Sequence, residues 1–389
     1  MIKIIGYLIL FISLACCAGL PEEALKTGAE QPEIYLPELQ HKNVGLVVNH
    51  TSQVNGINLV DFLLSKNIHV KTIFAPEHGF RGNVSAGEEI KDGADSKTGI
   101  PVVSLYGKNR KPTPGQLHGL DLVIFDVQDV GCRFYTYIST LHLVLEACAQ
   151  NQVPLLVLDR PNPNGDYVAG PVLQPKFRSF VGMDPIPIVH GCTVGELARM
   201  INGEHWIEGY DKCDLTVIPV KNYTHKMRYS LPVKPSPNLP NDLSVRLYPS
   251  LCFFEATSIS VGRGTPFPFQ VLGGTDSTLG SFAFVPKNIP GVAANPLNEG
   301  KVCYGIDLRS LKYVPEFTLK YFLEFYHHYN NEKDFLIREN WLNLLAGNDD
   351  LIRQIRGGKN EAEITRSWQP ELSKYKEIRK KYLLYPDFE

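Results

Sequence analysis

Polar and ionisable side chains follow five apolar runs of this chain at once. Asn49-His50-Thr51-Ser52 follow "VGLVV", and Glu77-His78-Gly79-Phe80-Arg81 follow "IHVKTIFAP". Tyr106 follows "PVVSL", Asp126-Val127-Gln128-Asp129 close "LDLVIF", and Asp159-Arg160-Pro161-Asn162 close "VPLLVL". Carboxylates and imidazoles at such positions suit proton transfer, while tyrosine, amide and guanidinium groups suit a hydroxyl-rich ligand such as a sugar. Glu77 stands out, because Pro76 and Gly79 fix its backbone and Phe80 supplies the apolar neighbour that a general acid needs. Some of these residues have an equally good structural use. Asp126 and Asp159 can cap a helix or buttress a loop, Arg133 and Arg160 can pair with them, and His50 reads as a satisfied, partly buried histidine. Of Tyr135 and Tyr137, only one should face a cleft while the other packs the start of a helix.

Six runs must position these residues: 44–48, 68–74, 101–105, 120–127, 153–159 and 214–220. Their near-continuous hydrophobicity suits strands buried on both faces. Between them lie segments with apolar residues every three to four positions, one opened by Thr193 three residues before Glu196, a capping box. Repeated β-α-β order predicts a Rossmann-like, doubly wound, mostly parallel α/β sheet over residues 36–225, with loops converging at the carboxyl ends of the strands. The proline-dense stretch 229–250 reads as a bridge or ordered surface loop. Residues 226–389 read as a second, smaller α+β domain closing the cleft.

The formal net charge is −2 over 389 residues, with no basic block, which excludes nucleic acid as a partner. Residues 1–18 have the layout of a secretory signal peptide, followed by a polar tether over 19–35. Ser13-Leu14-Ala15-Cys16 or Leu14-Ala15-Cys16-Cys17 looks like a lipobox, so an acylated Cys16 or Cys17 would attach an exported, periplasmic protein to a membrane; the alternative is ordinary cleavage near Ala18. The other six cysteines are scattered singly and read as buried thiols. No G-x-G-x-x-G follows the first strand, and Walker A, H-E-x-x-H and G-x-S-x-G motifs are absent, so no cofactor is expected. A metal held by His50, His78, Asp126 and Asp129 ranks below an acid/base role, since no local spacing demands it.

The stretches "GLVVNHTSQV", "FAPEHGFRGNVSAGEEI", "DLVIFDVQDVGCRFYTYISTL", "LLVLDRPNPNGDYVAGPVL" and "PSLCFFEATSISVGRGTPFPFQ" closely resemble the bacterial exo-β-N-acetylmuramidases of glycoside hydrolase family 171. "YLLYP" near the end is also similar. The resemblance implies an active site between the two domains and release of terminal N-acetylmuramic acid from the non-reducing end of peptidoglycan fragments, in cell-wall turnover and recycling. It implies Glu77 as a catalytic carboxylate, with His78, Asp126, Gln128, Arg133, Tyr135 and Arg160 lining the sugar site. Glu255 and Arg263 would reach in from the second domain. Gly274-Thr275 departs from the family pattern, which reads nearer Gly-Ala-Pro and would shape one cleft wall differently.

A glycosidase usually needs two carboxyl groups, so Asp126, Asp129 or Glu255 would partner Glu77, unless the substrate's own N-acetyl group attacks. The lactyl carboxylate of muramic acid calls for a cation, for which Arg133, Arg160 and Arg263 are the candidates. Asn49, Arg81, Tyr106, Tyr137, Asp159 and Asn162 complete the expected substrate-binding set. Two other readings remain at this point: a non-catalytic muropeptide-binding lipoprotein, and a cell-wall amidase or esterase.

Overall fold

The computed structural model describes residues 24–81, 92–209, 212–314 and 316–389. The expected signal segment, with Cys16 and Cys17, lies outside the described residues. The N-terminal unit contains β1 (Asn43–Val48), β2 (Gln53–Val54), β3 (Ile57–Asn58), β4 (His69–Ala75), β5 (Gly93–Ala94), β6 (Pro101–Ser104), β7 (Leu122–Asp126), β8 (Leu155–Leu158) and β9 (Leu215–Ile218). Seven of them form one sheet in the order β5-β6-β4-β1-β7-β8-β9. Every pairing is parallel except that of the short edge strand β5. The six predicted runs are therefore its six parallel strands, and their order is that of the Rossmann fold.

Burial explains why these runs form strands. Val44, Leu46 and Val48 of β1 pack on one face with Leu59, Val60 and Leu63 of the helix Leu59–Ser65. Val47 packs on the other face with Leu141, Val144 and Leu145 of the helix Tyr137–Asn151. Alternate residues thus enter two different cores, so a central strand must be apolar throughout. Local chemistry sets the helix ends. The Asn58 side chain accepts from the Val60 N–H, and Thr193 and Glu196 form the predicted capping box before the helix Val194–Gly203.

The C-terminal unit is α+β. It carries the helix Asp242–Leu251, a 3₁₀ turn Cys252–Ala256, and an antiparallel sheet of β10 (Val271–Gly274), β11 (Phe282–Phe284) and β12 (Cys303–Asp307). The helices Lys320–His328, Glu339–Ala346, Asp350–Arg356 and Glu361–Lys380 follow. The last is the longest helix among the described residues and was not anticipated. Its polar composition and internal Pro370 hide a stripe of Ile364, Trp368, Leu372, Tyr375 and Arg379, buried at spacings of three and four.

Two expectations are corrected. Residues 24–35 are not a free tether: Lys26 bridges Lys221, Gly28 N–H donates to the Asp159 carbonyl at 2.8 Å, and Ala29 is fully buried. The proline-dense stretch is not a surface bridge either, since Ser236, Asn238 and Leu239 are buried. The two units also share one hydrophobic core, in which Phe134 meets the rings of Tyr248 and Phe253 at 5.4 and 6.2 Å. Each such buried ring contributes about 1.5–3 kcal/mol, so the space between the units has fixed walls.

Candidate active site

β4 ends in a tight turn, with Gly79 N–H donating to the Pro76 carbonyl at 3.0 Å. His78 and Gly79 both take left-handed backbone angles, at φ 71° and 76°. A non-glycine residue there is uncommon and costs energy, and such strain concentrates at functional sites. The turn presents Glu77 to the start of the helix Tyr137–Asn151. There the Thr136 hydroxyl donates to Glu77 Oε2 at 2.6 Å, and the Tyr137 hydroxyl donates to the Glu77 backbone carbonyl at 3.2 Å. Thr136 is the N-cap residue, yet its side chain makes no capping bond. Its hydroxyl serves the carboxylate instead. Tyr106, just past the end of β6, lines the same space and lies close enough to Glu77 to feel its charge. Burial, and then the charges of Glu77 and Glu255, push the Tyr106 phenol up, so it keeps its proton.

Glu77, Tyr106 and Thr136 line a cavity of about 530 Å³ together with His78 and Tyr135, whereas Tyr137 does not reach it. The Tyr135 hydroxyl donates to the Pro235 carbonyl at 2.8 Å and so ties the proline-dense wall to the helix start. Across the cavity, Glu255 from the 3₁₀ turn accepts from Arg263 Nη2 at 2.6 Å. Asn238, Arg338 and Trp341 add to the polar part of the lining. Among the described residues, Asn238 Oδ1 and Trp341 Nε1 are buried without a hydrogen-bond partner, whereas Asn238 Nδ2 is fixed by the Val292 carbonyl. Thr136, Asn238, Arg338 and Trp341 were missed in the sequence. Thr136 had one local signal, its position before an apolar helical repeat; the other three join the cavity only through tertiary packing.

The remaining sequence candidates fall outside the cavity. Asp126 is fully buried in a two-pronged ion pair with Arg160, at 2.5 and 2.9 Å, so neither is free for substrate. Asp129 Oδ1 accepts from Gly131 N–H at 2.7 Å, while burial pushes its carboxyl up to about 7. Gln128 bonds the carbonyls of Asp129 and Pro161, and the Arg133 guanidinium is caged by the carbonyls of Pro171, Ile186 and Leu345 at 2.8–2.9 Å.

Asp159 braces the helix Val194–Gly203 by accepting from Thr193 Oγ1 and Gly195 N–H at 2.7 Å, and it also accepts from the hydroxyl of Tyr385 in "YLLYP". Asn162 donates to the Cys192 carbonyl, and its Oδ1 lies 2.0 Å from where a Cβ on Gly131 would stand. Gly131, at φ 78°, admits no other residue without a shift. Asn49 donates to the Tyr137 hydroxyl at 2.9 Å, and Arg81 pairs with Asp95 at 2.9 Å. His50 meets the Lys234 carbonyl at 2.9 Å, and burial lowers its pKa. Thr275 is exposed and forms no part of the cavity wall. The physical reason is common to most of these. In this strand order the crevice between β1 and β7 is where a ligand usually sits. Here the chain's own buried Asn49, Thr51, Ser52, Asp126 and Gln128 fill it. The open space lies further along, past β4 and β6. Among the described residues no three His, Cys, Asp or Glu side chains cluster to hold a metal ion.

A Rossmann-ordered sheet whose carboxyl end opens on two carboxylates and aromatic walls, closed by a second unit, is a two-domain α/β architecture with the paired carboxyl groups that glycoside cleavage uses. Residues 44–243 match the N-terminal family model of exo-β-N-acetylmuramidase NamZ, and residues 246–385 match its C-terminal model. The chain belongs to that family. The peptidoglycan β-N-acetylmuramidase NamZ of Bacillus subtilis (strain 168) is 36% identical, over 97% of each chain. Two crystal structures of DUF1343 family proteins from Bacteroides fragilis NCTC 9343 are similar. One has a TM-score of 0.86 at 45% identity, covering 94% of this chain and 99% of that one. The other has 0.79 at 28%, covering 93% and 99%.

Proposed function

We propose that this chain is an exo-acting glycoside hydrolase that releases terminal, non-reducing β-1,4-linked N-acetylmuramic acid from peptidoglycan fragments. Glu77 protonates the leaving oxygen and Glu255 is the second carboxylate. The observation that carries this reading is that the two units each supply a carboxylate, Glu77 and Glu255, to one cavity whose lining also includes Tyr106 and Tyr135. Glu255 takes the partner's role because Asp126 is committed to Arg160 and Asp129 does not line the cavity. The activity printed for the Bacillus subtilis relative supports the substrate class.

The test is mass spectrometry of products from N-acetylmuramyl-β-1,4-N-acetylglucosamine. The wild type should release free N-acetylmuramic acid, and Glu77→Gln should lose roughly 10²–10⁴-fold in rate. Intact disaccharide with both proteins would overturn the proposal. Export follows from the same reading, because peptidoglycan lies outside the cytoplasm and residues 1–18 read as a signal peptide. Membrane attachment through Cys16 or Cys17 predicts incorporation of labelled fatty acid that a Cys16→Ser/Cys17→Ser variant abolishes; equal labelling of both proteins would refute it.

A further inference from the structure

We infer that Arg338, stacked on Trp341, grips the lactyl carboxylate of the sugar and so sets the preference for muramic acid; this rests on the function proposed above. The cations expected for that task are committed elsewhere. Arg133 is caged by three carbonyls, Arg160 is paired with Asp126, and Arg263 is held 2.6 Å from Glu255. Arg338 is the other arginine of the cavity lining. Its guanidinium lies 5.2 Å from the centre of the Trp341 ring, and among the described residues it has no ion pair or hydrogen bond. The acid beside it in sequence does not compete, since Glu339 is taken by Arg356 at 2.7 Å.

Its backbone is fixed relative to the chemistry. The amides of Ile337 and Arg338 both donate to the Ala256 carbonyl, at 3.1 and 3.0 Å, which locks this corner to the residue after Glu255. A guanidinium held over an indole face by a cation–π contact still has its N–H groups to offer, and a guanidinium can bind a carboxylate with two parallel hydrogen bonds. Trp341 also lines the cavity, so the indole that carries the guanidinium is itself part of the wall. A guanidinium of the cavity lining with no protein carboxylate paired to it matches an anionic substituent. A neutral hydroxyl, which must also donate, fits less well.

The experiment compares a chromogenic aryl β-glycoside of N-acetylmuramic acid with its lactamide, which keeps the shape and removes the charge. Wild type and Arg338→Met are assayed on both. The wild type should prefer the acid; in Arg338→Met, kcat/KM on the acid should fall about 10–100-fold, mostly through KM, and the acid-to-lactamide preference should collapse toward one. Retention of the wild-type preference by Arg338→Met overturns the inference while leaving the glycosidase reading intact. If the wild type cleaves neither glycoside, it is the glycosidase reading that fails. The comparison then passes to calorimetric binding of free N-acetylmuramic acid, where equal affinity in wild type and Arg338→Met overturns the inference and a loss of affinity sustains it.

Discussion

Asp126→Asn separates scaffold from catalyst. Sequence position makes Asp126 a candidate partner for Glu77, in which case its loss should lower kcat by roughly 10²–10⁴-fold with stability little changed. The structure gives the opposite expectation. Arg160 is 5% exposed and its fork is filled by the two Asp126 oxygens, with only the Gln53 carbonyl, at 3.2 Å, as a further acceptor. Asparagine removes the charge and turns one accepting oxygen into a donor facing a donor. Breaking a buried pair in this way costs about 3–5 kcal/mol, because an uncompensated charge stays behind. At an unfolding entropy of about 2.1 cal/mol/K per residue, a chain of this length should lose about 4–6 °C in its unfolding midpoint. Replacing Arg160 with Met in the same background should recover part of that loss, since the orphaned charge is then gone. Calorimetry gives the midpoint, and turnover normalised to folded protein gives the activity. A kcat reduced a hundredfold or more, at an unchanged midpoint, would refute this assignment.

Two further outcomes follow from the same geometry. Thr136→Val removes the donor to Glu77 Oε2 but no capping bond, so kcat should fall roughly tenfold at near-constant KM, for a bond worth about 1–1.5 kcal/mol. Steady-state kinetics beside circular dichroism checks this, and unaltered kcat would detach Thr136 from the chemistry. Asp129 has a folded pKa raised to about 7 by burial, against about 3.9 unfolded, so the native state keeps a proton that the unfolded chain has released. Its contribution should therefore lower stability as pH rises from 4 to 7, by on the order of 3–4 kcal/mol. Urea titrations should find that this decline is absent in Asp129→Asn; equal pH slopes in both proteins would contradict the burial argument.

The sequence by itself determined the sheet and the carboxylate, Glu77, that β4 delivers to the cavity. Strands buried on both faces must be apolar along their whole length, so β1, β4, β6, β7, β8 and β9 were legible as runs, and their alternation with helical repeats required parallel pairing. Glu77 was legible because a proline and a glycine fix a carboxylate where a strand ends. What sequence could not decide was which polar strand ends stay open to a ligand and which are spent inside the protein. Asp126, Gln128, Asp159 and Asn162 stand, like Glu77, at or just past the carboxyl ends of parallel strands and carry side chains of the kinds a sugar site uses. Only the tertiary structure brings Arg160, Thr193, Tyr385 and several backbone groups onto them, and these contacts hold the four side chains away from the cavity. Arg338 and Trp341 lie more than 250 residues beyond Glu77, on a corner pinned to Ala256, and no local pattern announces them. Spacing along a strand is fixed by the chain's own geometry, whereas the choice between a site and a buttress is made by neighbours from distant segments, and those are set only when the cores close.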